Sequence, residues 1–197
     1  MNTTILILVR HGESEAYDYL PGRKPGVNLS AAGVAEVKNL AKHLTRFNID
    51  IIFSSPVDRT KQTAEIISSS ISKEIKFADE LMEIDFGEWT GKSFAELKND
   101  NQWKLFHKFR SGTRIPGGET ILEVQFRMIK KIEEIISKYS GKTILIVSHG
   151  DPIKSALCYY LGLPLDFISR VSIDTASLSV LILNESGPII KSLNHKP

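Results

Sequence analysis

Two stretches of this chain place a histidine and a glycine directly after an apolar run: LVRHGES, residues 8–14, and IVSHGDP, residues 146–152. Imidazole serves as nucleophile or proton carrier near neutral pH, and the glycines let backbone N–H groups face a ligand. Arg10 adjoins the first histidine, and Arg59 lies in a third stretch, SSPVDRTKQTA, residues 54–64. Guanidinium forks match pairs of phosphate oxygens and hold the charge that spreads over them during transfer. Arg10, His11, Arg59 and His149 together therefore predict a site for a phosphomonoester. A neutral histidine would attack phosphorus in line, while a second, protonated one donates to the equatorial oxygens. A carboxylic acid must protonate the leaving alkoxide. Glu83, in LMEIDFGEWTG, is the candidate, with Glu13, Asp85, Glu88 and Asp151 as rivals that composition and spacing do not separate.

Each of these residues has a plainer reading when taken alone. A single His-Gly pair is common by chance, and a lone arginine is more often a surface charge or half of a helix salt bridge. The recurrence of the pair after two apolar runs lifts it above that background. Trp89 and Trp103 read as core residues rather than substrate contacts. Cys158, among Ala156, Leu157 and Tyr159, reads as a buried helix residue. As the sole cysteine it excludes an intrachain disulfide, argues against a thiolate zinc site, and points to a reducing cytoplasm. The histidines at 11, 43, 107, 149 and 195 show no HExxH spacing, and arginines beside the site would repel a divalent ion, so no metal is expected. With neither GxGxxG nor GxxxxGK[ST], no dinucleotide or other cofactor is expected.

The elements that must position these groups can be read from the same pattern. TTILILV, residues 3–9, IDIIF, residues 49–53, and TILIVS, residues 143–148, are short runs rich in branched residues and predict strands covered on both faces. Ser30 predicts the N-cap of a helix over 31–47, and Pro56 the first turn of another carrying Thr60, Ala64 and Ile67. IKFA, residues 75–78, predicts a third strand, and a long helix follows from about 119 to 139, ended by Gly141. Residues 151–161 predict a short helix and 178–183 a last strand, with the final ten residues frayed. Strand, loop and helix in alternation predict a three-layer α/β/α sandwich around a mostly parallel sheet, whose carboxyl edge is where ligands bind.

With 197 residues, 42% of them apolar and 24% charged, the chain is sized and composed as one soluble domain rather than a disordered or fibrous one. The whole of 1–197 is expected to form it, with 81–120 as an insertion or cap over the site. A net charge of +2 gives no nucleic-acid or membrane footprint, so neither partner is expected. The run from Thr3 to Val9 is too short for a membrane span and lacks a basic leader, which supports a cytoplasmic location. A homodimer stays open, because core and interface strands share one pattern.

Six motifs in order resemble the histidine phosphatase superfamily, the phosphoglycerate mutase-like proteins, in its branch with an RHGE-type amino-terminal motif. They are RHGES, VNLSAAG, SSPVDRTKQTA, LMEIDFGEWTG, PGGET and VSHGDPIKSAL, spread over most of the chain. The resemblance implies that His11 becomes the phosphohistidine and that Arg10, Arg59 and His149 bind the phosphoryl group. It also implies that Glu83 gives a proton to the leaving group and later takes one from water, with Ser14 or Ser55 as a further substrate contact. Two positions depart from the family pattern: Ser14 stands for its usual threonine, and Tyr17 for an asparagine that normally touches phosphate. Gly91 to Pro116 spans only 26 residues, where cofactor-dependent phosphoglycerate mutases carry a longer excursion. The chain thus resembles the short, broad-specificity phosphatases. The expected function is metal-independent hydrolysis of a small phosphorylated metabolite, the alternative a 2,3-bisphosphoglycerate-dependent phosphoglycerate mutase or related phosphomutase.

Overall fold

A computed structural model describes residues 3–197. Six strands form one sheet: β1 (Thr4–Arg10), β2 (Ile51–Ser54), β3 (Ile75–Phe77), β4 (Thr143–Ser148), β5 (Leu178–Asn184) and β6 (Gly187–His195). Their order is β3-β2-β4-β1-β5-β6, with β3, β2, β4 and β1 parallel and β5 and β6 antiparallel. The helices are α1 (Ala31–Leu44), α2 (Asp58–Ile71), α3 (Phe94–Leu97), α4 (Asn101–Lys108), α5 (Ile121–Lys138) and α6 (Gly150–Leu161). This is the expected α/β/α sandwich. Among the described residues no helix is long and apolar enough to cross a membrane.

Alternation along the central strands divides the core in two. Ile7, Val9, Leu145 and Val147 face Val37, Leu40 and Leu44 of α1 and Ala64 and Ile67 of α2. Leu6, Leu8, Ile144 and Ile146 face Met128 and Ile132 of α5, Leu157 and Cys158 of α6, and Trp89. Each such fully buried branched side chain contributes about 2 kcal/mol through area removed from water. Because β1 and β4 are covered on both faces, their carboxyl ends are fixed against each other, with Arg10 in register with Ser148. The residues that follow, His11 and His149, emerge side by side.

Capping sets the helix starts. Ser30 Oγ accepts from the Gly33 N–H at 3.0 Å, and Thr120 and Glu123 form a capping box that opens α5. Pro56 falls outside α2, whose N-cap is Val57 in extended conformation, with Asp58 complementing the helix dipole in the first turn. The first helix is shorter than its apolar stripe predicts, because the chain turns after Leu44 and Phe47 packs back as a loop residue.

The final ten residues are not frayed. β6 pairs with β5 after a turn at Gly187, whose φ of 101° suits glycine, and Asn194 accepts from Asp174 N at 2.6 Å. Its exposure alternates along an edge strand containing Pro188, so it lacks the continuous apolar run by which the central strands are read.

Candidate active site

His11 is 5% exposed and His149 fully buried, their ring centroids 5.2 Å apart. His11 Nδ1 lies 2.7 Å from the Gly12 carbonyl, while Arg59 Nε donates to His11 Nε2 at 3.1 Å. An arginine nitrogen only donates, so Nε2 carries the lone pair and Nδ1 the proton given to Gly12. The His11 ring is thus oriented by its own backbone. Burial pushes the His11 pKa well below its usual value, and the Arg59 and Arg10 charges add to this, so the ring is neutral.

Arg59 ties the cluster together. It is 1% exposed, and its Nη2 donates to the Gly22 carbonyl at 2.8 Å and to His149 Nδ1 at 3.0 Å. His149 Nδ1 is therefore an acceptor, and its Nε2–H donates to Ser55 Oγ at 2.9 Å. Burial and then Arg59 hold His149 well below its usual pKa. The neutral state differs from the protonated one expected of a second histidine, because a buried imidazolium beside a guanidinium is unfavourable until a dianion arrives. Arg10 Nη1 donates to the Ile173 carbonyl at 2.7 Å, and two buried arginine nitrogens, Arg10 Nε and Arg59 Nη1, have no partner among the described residues. Buried donors without acceptors at one spot are what a phosphate would satisfy.

The structure separates the five carboxylates. Glu13 accepts from Ser30 Oγ at 2.7 Å, behind the loop; Asp85 accepts from Gly87 N, and Glu88 packs beside Gly117. Asp151 also lines the phosphate cavity but is paired with Arg110 at 2.8 Å. Glu83 lines the same cavity as Arg10, His11, Ser14 and Arg59, with its Oε2 4.0 Å from His149 Nδ1. Its pKa is pushed up to about 7, mainly by burial and then by the Asp151 charge, against the opposing pull of Arg59. A carboxyl group that keeps its proton to about pH 7 has the acidity that general acid catalysis near neutral pH requires.

Ser14 is on the cavity wall. Ser55 is fully buried behind His149, so it orients that ring. Tyr17, at the position of the family's asparagine, is 66% exposed and is not part of the cavity wall; Ala16 is. Trp89 is core, as expected, whereas Trp103 reaches a neighbouring cavity.

A support the sequence does not announce lies behind Glu83. Arg127 of α5 donates to the carbonyls of Glu80, Met82 and Glu83 at 2.6, 2.8 and 3.0 Å, and Arg23 Nε donates to the same Glu83 carbonyl at 2.7 Å. Both arginines are held by Glu119, the glutamate of PGGET, at 2.8 and 2.9 Å. That motif and the helical stripe are visible in sequence; the arginine partners are spread over three segments and are not.

The chain is 34% identical over 194 residues to phosphoserine phosphatase 1 of Hydrogenobacter thermophilus, covering 96% of this chain and 91% of that one. A phosphoserine phosphatase structure from Entamoeba histolytica, solved with phosphoserine, is 28% identical with a TM-score of 0.88, covering 98% of both chains. The alpha-ribazole phosphatase of Shigella flexneri, at 23% identity and a TM-score of 0.87 over 98% of this chain and 96% of that one, shares the fold. Residues 6–196 match one family along nearly the whole chain, and the protein belongs to the histidine phosphatase superfamily, branch 1.

Proposed function

We propose that this protein hydrolyses small phosphomonoesters through a phosphohistidine on His11. The observation that carries the reading is the pairing of a neutral, backbone-oriented His11 Nε2 with a Glu83 that holds its proton to about pH 7. The phosphoryl group sits between Arg10 and Arg59, and Arg59 Nε exchanges its contact with His11 Nε2 for a phosphoryl oxygen. His11 Nε2 then bonds to phosphorus as the P–O bond to the leaving alcohol breaks, and the Glu83 proton goes to that oxygen. In the second half, the Glu83 carboxylate takes a proton from water, whose oxygen bonds to phosphorus as the N–P bond breaks. Inorganic phosphate leaves, and neutral His11 and protonated Glu83 are restored.

As the dianion binds, His149 takes a proton from solvent at Nδ1, and that N–H, released from Arg59, donates to a phosphoryl oxygen while Nε2–H stays on Ser55. The two arginines supply the charge stabilisation, so the reaction needs no metal. Residues 81–120 act as a cap, a reading supported by Glu83, Phe86 and Phe94 on the cavity wall. The short Gly91–Pro116 segment favours water over a second phosphoglycerate as acceptor.

The test is incubation with 3-phosphoglycerate and with aryl phosphates, with and without EDTA and 2,3-bisphosphoglycerate, following inorganic phosphate and 2-phosphoglycerate together. Phosphate release indifferent to EDTA is expected. Isomer formation with little phosphate would overturn hydrolysis, and activity lost to EDTA and restored by one divalent ion would overturn the metal-free mechanism.

A further inference from the structure

Beside the phosphate cavity, of about 260 Å³, lies a second of about 300 Å³ that shares Leu20, Phe86, Phe94, Asp151 and Lys154 with it. Its remaining wall includes Trp103, His107 and Arg110 from the cap segment and Ile168 from the turn after α6. The phosphate cavity holds the reacting groups, so this adjoining chamber is where a leaving group extends. A hole of about 150 Å³ accepts a benzene ring. The chamber therefore has room for a ring and a substituent, more than a serine side chain fills.

The wall is apolar and aromatic on one hand and cationic on the other. Phe86, Phe94 and Trp103 offer ring faces and edges. Arg110 is buried at 7% exposure and stacked on Phe106, with 4.2 Å from its guanidinium to the ring centroid. One of its nitrogens meets Asp151 at 2.8 Å, but its buried Nε has no partner. Lys154, one turn along α6 from Asp151, makes no ion pair among the described residues and stands where the two cavities join. Burial keeps His107 neutral below its usual pKa. Asp151, the only carboxylate on the chamber wall, is engaged by Arg110, so the chamber presents one uncompensated positive charge and a buried unfilled donor. An apolar pocket with a few convergent polar groups selects by both features.

We propose that this chamber binds the leaving group, and that it selects phosphomonoesters of a ring-bearing alcohol or phenol that also carries a carboxylate, the ring against Phe86, Phe94 and Trp103 and the carboxylate at Lys154 and Arg110. The assignment rests on the phosphomonoesterase reading. It sets the protein apart from a dedicated phosphoserine phosphatase, because phosphoserine has no ring to fill the wall of Phe86, Phe94 and Trp103, and its ammonium sits beside its carboxylate and offsets the attraction to Lys154 while Asp151 is already paired.

The test compares kcat/KM for 4-(2-carboxyethyl)phenyl phosphate, 4-propylphenyl phosphate and phosphoserine. The two phenols have nearly equal acidity, so their ratio reads the chamber rather than the bond broken. The carboxylate ester should exceed the propyl ester by about tenfold or more, the worth of one charged hydrogen bond, and phosphoserine should fall below both. Lys154→Met should bring the ratio of the two aryl esters close to one, Lys154→Glu should invert it, and Lys154→Arg should keep it. Arg110→Met should lower the same ratio; because Arg110 is buried, the Lys154 series decides if that variant does not fold. A ratio near one in the parent protein, a ratio unmoved by Lys154→Glu, or phosphoserine as the best of the three would overturn the substrate class while leaving the phosphatase intact. No phosphate from any ester would overturn both.

Discussion

At His11 the position of one proton decides whether the ring can attack. The Gly12 carbonyl takes Nδ1–H and leaves the Nε2 lone pair toward Arg59, so in the proposed mechanism the ring needs no base to activate it. His11→Ala should abolish turnover with little change in fold, and ³¹P NMR of the parent enzyme denatured and held at alkaline pH, where an N–P bond survives, should show an N–P species that the variant lacks; retained turnover would remove His11 from the mechanism. Glu83 carries the other half. With its pKa near 7, the proton needed by an alkoxide is present below that pH and lost above it. Turnover of an alkyl phosphate should therefore fall about tenfold per pH unit above 7 where phosphoryl transfer limits the rate. In kcat/KM, which reads only the transfer to His11, Glu83→Gln should erase that limb and cost about 100- to 10,000-fold on alkyl phosphates, but far less on 4-nitrophenyl phosphate, whose leaving group departs as an anion; the attack of water, which also uses Glu83, is common to both esters and does not enter that ratio. Equal losses on both esters would give the acid role to another carboxylate. Sequence alone leaves five carboxylates open; it cannot see that Glu13 turns to Ser30 or that Asp151 is held by Arg110.

Elements position these residues by close approach as much as by register. The loop after β1 crosses the start of α1 so tightly that a Cβ on Gly33 would lie 1.9 Å from the Glu13 carbonyl oxygen and 2.7 Å from its nitrogen. Both neighbours are backbone, so a methyl group cannot be accommodated without moving the loop that carries His11. Gly33→Ala should cost about 3 kcal/mol in chemical denaturation and reduce kcat on aryl phosphates, where Ala32→Gly, at an exposed neighbour, should cost about 1 kcal/mol and leave kcat unchanged. An unshifted denaturation midpoint in Gly33→Ala would contradict the packing described. The elements themselves are largely legible. The buried parallel strands betray themselves by apolar runs, and α5 by its stripe and capping box. Less legible are β6, an exposed edge strand, and the short helices α3 and α4, whose buried residues Leu97 and Phe106 are too few to show a period. The two histidine loops can be paired from sequence because both follow central strands. The clamp of Arg23, Glu119 and Arg127 behind Glu83 cannot, because nothing local tells an arginine which carbonyls it will meet.

For the molecule as a whole, the site imposes opposing pH dependences on stability. His11 and His149 bind protons near pH 6.5 when unfolded but are held neutral well below that when folded, so each costs stability as pH falls through 6.5, by about 1.4 kcal/mol per pH unit once fully expressed. Glu83 acts in the other direction. Unfolded, it ionises near pH 4.5; folded, it keeps its proton to about 7, so the folded state is favoured below 4.5 and loses ground as pH rises between the two values. Above 7 the loss is complete and amounts to about 3–4 kcal/mol. Glu83→Gln removes the second dependence and leaves the first. Its stability relative to the parent should rise by about 2–3 kcal/mol between pH 5 and pH 8, a relative gain in Tm of about 6 °C for a chain of this size. His11→Ala should show its relative gain at the acid end instead, and the double variant should have the flatter profile at both ends. Thermal melts of the three variants and the parent across pH 5–8 measure this directly. A Glu83→Gln difference that stays constant across the range would mean that Glu83 is ionised in the folded protein, and would remove the proton on which the first half-reaction depends.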